Sequence, residues 1–417
     1  MNTKLINSFL YICLYSFLLF VYANFIYPIF SYQGYILDIN NSKIFISIFL
    51  IILISLILPS KLSKVSDFFF HIQFILPILP MLVLYSAENF SSYYMFITIF
   101  CFLIIRVLAI IKLPIKYISF IKVNLRLLFT ISLLLSFAIL IIIIITHKQY
   151  LNFDITKVYT YRLQLREVEQ GLLAYIIHSI PVFLSFLFGY SLIYKKRVMI
   201  FIVVALLVLN FAFTSHKQYL FLPFFIFAIY LVLKSRFLIQ KIIAGFIFLI
   251  AFAIIIDYFW LEVWAKAIII NRFLLVPAQL NFYYYDFFSQ NPKIFWTDSK
   301  WLLIGKIFDY PYSLPLPMVI GDTYFNNPET SANTGWIGSG YAHAGFLGMT
   351  VYAIVIGLVF KYLDFKAKTL DKNFIIISFS LFIISLFFSS DLKTVFISDG
   401  LLLYLLLLSS LNQIKEL

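Results

Sequence analysis

The sequence predicts an all-α integral membrane protein with about twelve transmembrane helices and one large loop outside the membrane. Its residues are 63% apolar and only 12% charged, whereas soluble domains carry about 25% charged residues. Apolar runs of about 20 residues, the length that crosses a bilayer as a helix, recur along the whole chain. Helices that pack in lipid form one bundle, so we expect a single polytopic domain over residues 1–417.

Twelve apolar segments qualify as transmembrane helices. The predicted spans are residues 5–30, 43–59, 68–85, 92–111, 126–146, 172–194, 198–214, 218–233, 240–260, 343–361, 373–389 and 395–411. Pro77 and Pro80 predict a kink in the third span, because proline removes a helical hydrogen bond. The first span lacks the small-residue cleavage site of a signal peptide, so we expect it to be retained.

Lysine and arginine are distributed unevenly over the connections, which sets the predicted orientation. Connections after even-numbered spans, with the chain ends, carry Lys4, Lys61, Lys64, Lys112, Lys116, Lys122, Arg126, Lys195, Lys196, Arg197, Lys234, Arg236, Lys241, Lys361, Lys366, Lys368, Lys372 and Lys415. The short opposite connections carry Lys43, Lys217 and Lys393. Cytoplasmic connections are enriched in Lys and Arg. We therefore expect cytoplasmic termini and two outer loops, at 147–171 and 261–342. No basic face or fold motif supports nucleic-acid binding.

The first outer loop carries a cationic helical pattern. Tyr159, Arg162 and Arg166 fall on one helical face because they are three and four residues apart. Two guanidinium groups on one face suit a diphosphate, since each pairs bidentately with phosphate oxygens. The alternative is an amphipathic interfacial helix, with Arg166 and Glu169 as a solvated pair.

The turn after the seventh span is also cationic. It contains His216 and Lys217 between two apolar runs. These side chains either meet a lipid phosphate or cap the helix ends at the level of the lipid headgroups.

The large outer loop begins with Arg272 inside an apolar run. An unpaired charge in apolar surroundings is costly, so Arg272 should face a wet cavity or a charged partner. Asp257 and Glu262 are the partners that a purely structural role would use.

Aromatic residues and prolines follow in the same loop. Tyr283 to Tyr285 suit either a membrane interface or a carbohydrate-stacking surface. Pro311, Pro315 and Pro317 predict an extended segment rather than a helix, because proline interrupts helical hydrogen bonding.

A glycine-rich stretch, residues 333–348, closes this loop and leads into the tenth span. Five of the chain's thirteen glycines lie in it, and glycine permits close backbone approach and positive φ. Backbone N–H groups at a helix start suit an anion such as diphosphate. The alternative is helix packing through the small pairs Gly338/Ala342 and Ala344/Gly348.

The sequence shows no metal or cofactor motif. The histidines, His71, His147, His178, His216 and His343, are too far apart in the chain to be ligands on one helix. The two cysteines lie in apolar runs, which disfavours a disulfide framework. We expect neither a metal nor a cofactor.

An ordered set of motifs resembles the O-antigen polymerases, the Wzy-type oligosaccharide repeat unit polymerases. The motifs are Arg272-Phe273-Leu274, Pro277-Ala278-Gln279, Tyr285-Asp286-Phe287-Phe288, Asn291-Pro292, Asn333-Thr334-Gly335, Gly338, Gly340-Tyr341 and Gly345-Phe346-Leu347-Gly348. Weaker echoes are Tyr161-Arg162 with Arg166, and Thr214 with Lys217. The resemblance covers roughly residues 154–350.

The resemblance implies an inverting, metal-independent glycosyltransferase of the integral-membrane, GT-C-like type. It would join undecaprenyl-diphosphate-linked repeat units at the periplasmic face of the bacterial inner membrane, with membrane lipid and a chain-length regulator protein as partners. Three groups of site residues follow: catalytic Arg272, Asp286 and His343; diphosphate-binding Arg162, Arg166, Lys217 and Arg272; and glycan-binding Tyr161, Tyr285, Asn333, Thr334 and Tyr341. Asp322 is a further candidate for the general base.

Two other functions share much of this pattern. A lipid-linked oligosaccharide flippase would have a similar helix count, but it would place cations within its helices and need no long outer loop. An O-antigen ligase shares the large outer loop and the arginines, and only the motifs separate it from a polymerase.

Overall fold

The computed structural model describes residues 3–112, 123–154, 158, 161, 164–165, 168, 171–299 and 304–411. This part of the chain is almost entirely helical and forms no strand, apart from one isolated bridge between Val123 and Leu411. The helices are α1 Thr3–Gln33, α2 Asn41–Ile57, α3 Val65–Ala87, α4 Ser92–Ile110, α5 Leu125–Tyr150, α6 Gly171–Ile193, α7 Arg197–Thr214, α8 Lys217–Leu233, α9 Leu238–Trp260, α10 Val276–Gln290, α11 Ile304–Ile307, α12 Leu316–Phe325, α13 Trp336–Lys366, α14 Lys372–Phe379, α15 Phe382–Ser389, α16 Leu392–Ile397 and α17 Leu401–Ser410.

Eight of the described helices are long and apolar enough to cross a membrane: α1, α3, α4, α5, α6, α7, α9 and α13. A ninth span results if α14 and α15, which are bent by 60° relative to each other, count as one. Helices α2, α8 and α17 are apolar but shorter. The prediction of a multi-pass, all-α membrane protein is therefore confirmed.

The chain divides into two compact units. The first unit contains Met1–Ile111, Arg236–Lys361 and Ser385–Leu392, and the second contains Lys112–Ser235, Tyr362–Ile384 and Lys393–Leu417. In the second unit, α6 packs against α5, α7 and α14.

Helix α3 lies at the centre of the first unit, and every residue of its apolar window is buried. Two of its polar side chains, His71 and Asp67, are paired. The Tyr11 hydroxyl donates to His71 Nδ1 at 2.6 Å, while His71 Nε2 donates to the Pro59 carbonyl at 2.8 Å. Asp67 pairs with Arg106 at 3.1 Å. The unit therefore satisfies these buried polar groups, which would otherwise destabilise it.

The large loop contains more helix than its prolines suggested. A π-helical segment, Lys266–Leu275, leads into α10, and α12 begins directly after Pro315. The prediction of an extended segment through Pro317 was wrong. Pro317 occupies the first turn of α12, where no helical N–H is needed and its fixed φ suits the helix.

Helix α13 is broken in the middle of the glycine-rich stretch. Ala344 has φ −147° and Gly345 has φ 60° and ψ −137°, which are not helical values. The two arms of α13 approach so closely that a Cβ on Gly348 would lie 2.1 Å from the Gly340 carbonyl oxygen. Small residues therefore permit the bend, and His343 is the last residue before it.

Candidate active site

His343 is fully buried at the break in α13, and both of its ring nitrogens are hydrogen-bonded. The backbone N–H of Trp296 donates to Nδ1 at 3.2 Å. Nδ1 must therefore carry a lone pair, so Nε2 carries the proton and donates to Asp391 Oδ2 at 2.7 Å. The imidazole is fixed in one orientation and one tautomer.

Asp391 is held from two sides. Besides the His343 bond, its Oδ1 accepts from the Tyr352 hydroxyl at 2.6 Å, and that hydroxyl accepts from Trp296 Nε1 at 2.9 Å. We call these four residues the Asp391 network. Of the Asp391 side chain, 12% remains exposed, so the carboxylate is oriented from within and still reaches the surface.

Trp296 is positioned by an unusual turn. Phe295 and Trp296 have φ values of 43° and 60°, a left-handed conformation that is costly for residues other than glycine. Two hydrogen bonds hold this turn: the N–H groups of Ile294 and Phe295 donate to the carbonyls of Ala342 and His343 at 3.1 and 2.9 Å. The Trp296 and His343 rings then stack, 4.9 Å apart and 7° from parallel. The break in α13 supplies these acceptors, because the carbonyls just before it have lost their helical donors.

Asp298, His343 and Asp391 bring one ligand atom each to within 4.8 Å of one another, which is a composition that metal sites use. The histidine does not fit that role in this arrangement. A metal on Nε2 would require a proton on Nδ1, and that proton would face the Trp296 N–H donor. We therefore interpret His343 as an orienting group for Asp391.

A cluster of aromatic rings forms around Tyr341, two residues before His343. Of its members, Tyr94 is fully buried and Tyr341 is 8% exposed. Tyr285 is half-buried and stacks on Tyr94 with centroids 4.4 Å apart, and Tyr341 lies 5.0 Å from Tyr285. The structure thus brings together two of the residues predicted to bind glycan. Lys293 joins them, with its Nζ 5.2 Å from the centre of the Tyr341 ring.

Asp286 lies on the exposed side of α10. It accepts a hydrogen bond from the Tyr324 hydroxyl at 2.6 Å, and the Tyr324 ring stacks on Tyr283 at 4.3 Å, only 5° from parallel. This pairing creates a flat aromatic face next to a carboxylate, a combination that suits a sugar ring and its hydroxyls.

The two predicted polar residues before α13 differ in accessibility. Asn333 is exposed, while Thr334 is buried and donates its hydroxyl to Asn281 Oδ1 at 2.9 Å. The same oxygen accepts the Gly338 N–H at 2.8 Å. Thr334 therefore fixes the start of α13 in this arrangement, and Asn333 is the one available to a ligand.

Arg272 is exposed on the π-helical segment and has no ion-pair partner in the described part of the chain. The structural alternative, pairing with Asp257, is not observed. Asp257 instead accepts the backbone N–H groups of Ala265 and Lys266 at 2.9 and 2.8 Å, and its nearest ammonium group is Lys266 Nζ at 3.9 Å.

The other predicted cations belong to the second unit. Lys217 is half-buried at the first turn of α8, after Ser215 in the left-handed conformation. Tyr161 is half-buried. Arg162 and Arg166 lie outside the described residues.

A buried polar cluster anchors the segment that carries Arg272. Asn271 accepts from the Tyr35 hydroxyl at 2.7 Å and donates to Gln33 Oε1 at 2.9 Å.

In the same unit, the Tyr22 hydroxyl donates to Glu88 Oε1 at 2.9 Å, while Glu88 Oε2 is buried without a hydrogen-bond partner among the described residues. Burial raises the pKa of the Glu88 carboxyl from 4.5 to about 8.

Sequence reasoning missed Asp391, Tyr352, Trp296 and Lys293. The one local signal was Asp391 itself, an isolated carboxylate between two apolar runs. Its partner His343 is 48 residues away in the chain, so spacing alone gave no reason to join them.

No protein-family model matches this chain, and comparisons with curated proteins and with solved structures give no match either.

Proposed function

We propose that this protein is an integral-membrane glycosyltransferase that polymerises oligosaccharide repeat units carried on undecaprenyl diphosphate. The observation that carries the proposal is the Asp391 network, an oriented carboxylate whose partner His343 follows Tyr341 of the aromatic cluster by two residues. The ordered motifs from Arg272 to Gly348 support the same family of reactions.

The reaction needs a group that removes one proton. The acceptor hydroxyl oxygen forms a bond to the anomeric carbon of the donor glycan, the bond from that carbon to the diphosphate breaks, and the hydroxyl proton passes to a base. We assign this base to Asp391 rather than His343, because the protonated Nε2 of His343 already donates to Asp391. The Tyr352 and His343 donors then keep the carboxylate oriented. Asp286, with one bond from Tyr324, is the second candidate.

The leaving group needs positive charge. Arg272 is exposed and lacks an ion-pair partner among the described residues, so its guanidinium is free to bind the donor diphosphate bidentately and stabilise it as it leaves. Arg162, Arg166 and Lys217 are further cations predicted to bind phosphate, and each needs its own test.

The same proposal includes the membrane arrangement: twelve spans, a GT-C-like architecture, cytoplasmic termini, and outer loops facing the periplasm of a bacterial inner membrane. The uneven distribution of Lys and Arg supports this orientation. Undecaprenyl-diphosphate-linked oligosaccharide is both donor and acceptor. We also propose a chain-length regulator protein as a partner.

A polysaccharide gel of the source strain tests the proposal. With the gene deleted, we expect the ladder to collapse to core carrying a single repeat unit, because units are still made, flipped and ligated. Loss of every repeat-bearing band would instead indicate a flippase or a ligase.

Complementation adds a matched pair of variants. Arg272→Ala should fail to restore long chains although the protein remains in the membrane, whereas Arg236→Ala, an exposed arginine at the other end of α9, should restore them. Long chains of normal length with Arg272→Ala would contradict the diphosphate role.

A further inference from the structure

One ammonium group in the aromatic cluster has no salt-bridge partner among the described residues. It belongs to Lys293, in the segment that crosses the break in α13, where the next residue, Ile294, donates its N–H to the Ala342 carbonyl at 3.1 Å. The Lys293 Nζ lies 5.2 Å from the centre of the Tyr341 ring and donates to the Phe288 carbonyl. The salt bridges within the described part of the chain involve other residues.

The surroundings of this ammonium group are only partly aqueous. Lys293 is half-buried, and its Cε lies 3.4 Å from the position that a Cβ on Gly345 would take. Desolvation lowers the pKa of the Lys293 ammonium below its ordinary value. A bound anion would stabilise a positive charge that burial disfavours, and no described residue supplies that anion.

The donors of Lys293 indicate which anion fits. An ammonium group has three N–H donors and no acceptor. One donor of Lys293 goes to the Phe288 carbonyl, so two remain, and they match the two oxygens of one carboxylate. A diphosphate has more oxygens and more charge than one ammonium group satisfies, and the planar fork of an arginine matches it better.

The rings beside Lys293 supply an apolar surface for a sugar. Tyr341 contacts the ammonium group on one side and lies 5.0 Å from Tyr285 on the other. Tyr285 is half-buried, and its ring is held in place by Tyr94, which stacks on it at 4.4 Å. Aromatic rings combine apolar contact area with a defined geometry. Because Tyr341 contacts both groups, a glycan that lies on Tyr285 can place a carboxylate on Lys293.

We propose that Lys293 and the aromatic cluster of Tyr94, Tyr285 and Tyr341 form a subsite for an anionic sugar, one that carries a carboxylate as a hexuronic acid does. The ammonium group binds the carboxylate, and the rings contact the sugar. A repeat unit that contains such a sugar is then the preferred substrate, an assignment that rests on the proposed function. A neutral glycan would leave the ammonium group without an anion.

Sugar analysis of the polymer from the source strain is the first test. We expect a carboxylated sugar in every repeat unit. A polymer without any carboxylated sugar would overturn the subsite. That result would leave the polymerase proposal standing, because the polysaccharide gel of the deletion strain tests polymerisation separately.

Binding to the purified full-length chain tests the contact without turnover. The repeat-unit oligosaccharide is released from its lipid diphosphate by mild acid, and one portion is treated with carbodiimide and borohydride, which convert each carboxylate to a primary alcohol. Calorimetric titration in detergent should show that the native oligosaccharide binds about tenfold or more tightly than the reduced one, because reduction removes a charge-assisted hydrogen bond. Equal affinities, or no binding of either form, would overturn the proposal.

Inorganic diphosphate is the competing probe. We expect it to leave the affinity for the native oligosaccharide within about twofold when both are present at equal concentration. Displacement of the oligosaccharide would mean that Lys293 binds phosphate, and it would overturn the assignment of a sugar carboxylate.

Variants locate the contact on Lys293. Lys293→Gln should weaken binding of the native oligosaccharide about tenfold and abolish the preference over the reduced form, because a neutral amide lacks the charge. Lys293→Arg keeps the charge and should retain the preference, as should the control Lys306→Gln, which removes an exposed lysine of the same loop. A preference that survives in Lys293→Gln would overturn the assignment. If Lys293→Gln fails to fold, the two oligosaccharides compared on wild-type protein still decide the outcome.

Discussion

Glu88 makes the stability of this protein depend on pH. Glu88 is 8% exposed, and burial raises the pKa of its carboxyl from 4.5 to about 8. Between these two values the folded chain binds one proton more than the unfolded chain, so the free energy of unfolding falls as pH rises. The contribution of Glu88 to the free energy of unfolding is fully present below about pH 4.5. It declines as the pH rises, and the decline ends above about pH 8.

The size of the effect follows from the two pKa values. A pKa difference of one unit corresponds to about 1.36 kcal/mol, so raising the pH from 5 to 8 should lower the free energy of unfolding by roughly 4 kcal/mol. With an unfolding entropy of about 2 cal/mol/K per residue, that corresponds to a fall of about 5 °C in Tm. In Glu88→Gln, the neutral amide replaces the neutral acid, and this component of the pH dependence should disappear.

A thiol-reactive dye in detergent provides the assay. Cys101 is fully buried and reacts when the chain unfolds, so the dye reports Tm for wild type, Glu88→Gln and the control Glu329→Gln, which removes an exposed carboxylate. The Tm of Glu88→Gln should exceed that of wild type at pH 8 and match it near pH 5. Parallel Tm curves for wild type and Glu88→Gln across this range would refute the reasoning.

Three further predictions concern the site and the bend. Asp391→Asn should slow chain lengthening about 100-fold or more, the usual contribution of a general base. The control Asp309→Asn, which removes an exposed carboxylate, should stay near wild type. Equal rates for Asp391→Asn and wild type would exclude Asp391 as the base. Gly348→Ala should lower Tm or abolish folding, because its Cβ would lie 2.1 Å from the Gly340 carbonyl oxygen. The control Gly245→Ala should leave Tm unchanged, because the added Cβ would meet open space. An unchanged Tm in Gly348→Ala would mean that the two arms of α13 are not in contact. Chelation by EDTA should leave polymerisation unchanged, since both His343 nitrogens are hydrogen-bonded; loss of activity restored by added Mn²⁺ would contradict that tautomer.

The apolar runs predicted the class of fold because a helix in lipid must satisfy its own backbone and be apolar over a fixed length. They did not predict where helices break. The predicted span 395–411 is two helices, α16 and α17, with Gly400 in the left-handed conformation between them. The bend at Gly345 likewise depends on the backbone segments that pack against the neighbouring glycines. Such packing belongs to the tertiary structure and cannot be predicted from the local sequence.

The candidate site was predictable only in part. The sequence singled out Arg272 by its apolar surroundings, and the family resemblance added Asp286 and His343. Neither gave a means of finding Asp391 or Trp296. Those two residues meet His343 through contacts that span 48 and 47 positions of the chain. Hydrogen bonding then assigned the roles, because the tautomer of His343 depends on a backbone N–H that no motif contains.

The most direct test of the polymerase proposal is chain lengthening by the purified protein. Lipid-linked repeat units extracted from a strain lacking the gene are incubated with the protein in liposomes, and the lipid-linked products are sized by mass spectrometry. The proposal predicts dimers and longer chains, with one undecaprenyl diphosphate released for each bond formed, and their loss in Asp391→Asn. Units that stay single while wild-type protein remains folded, or that cross the bilayer unjoined, would contradict it.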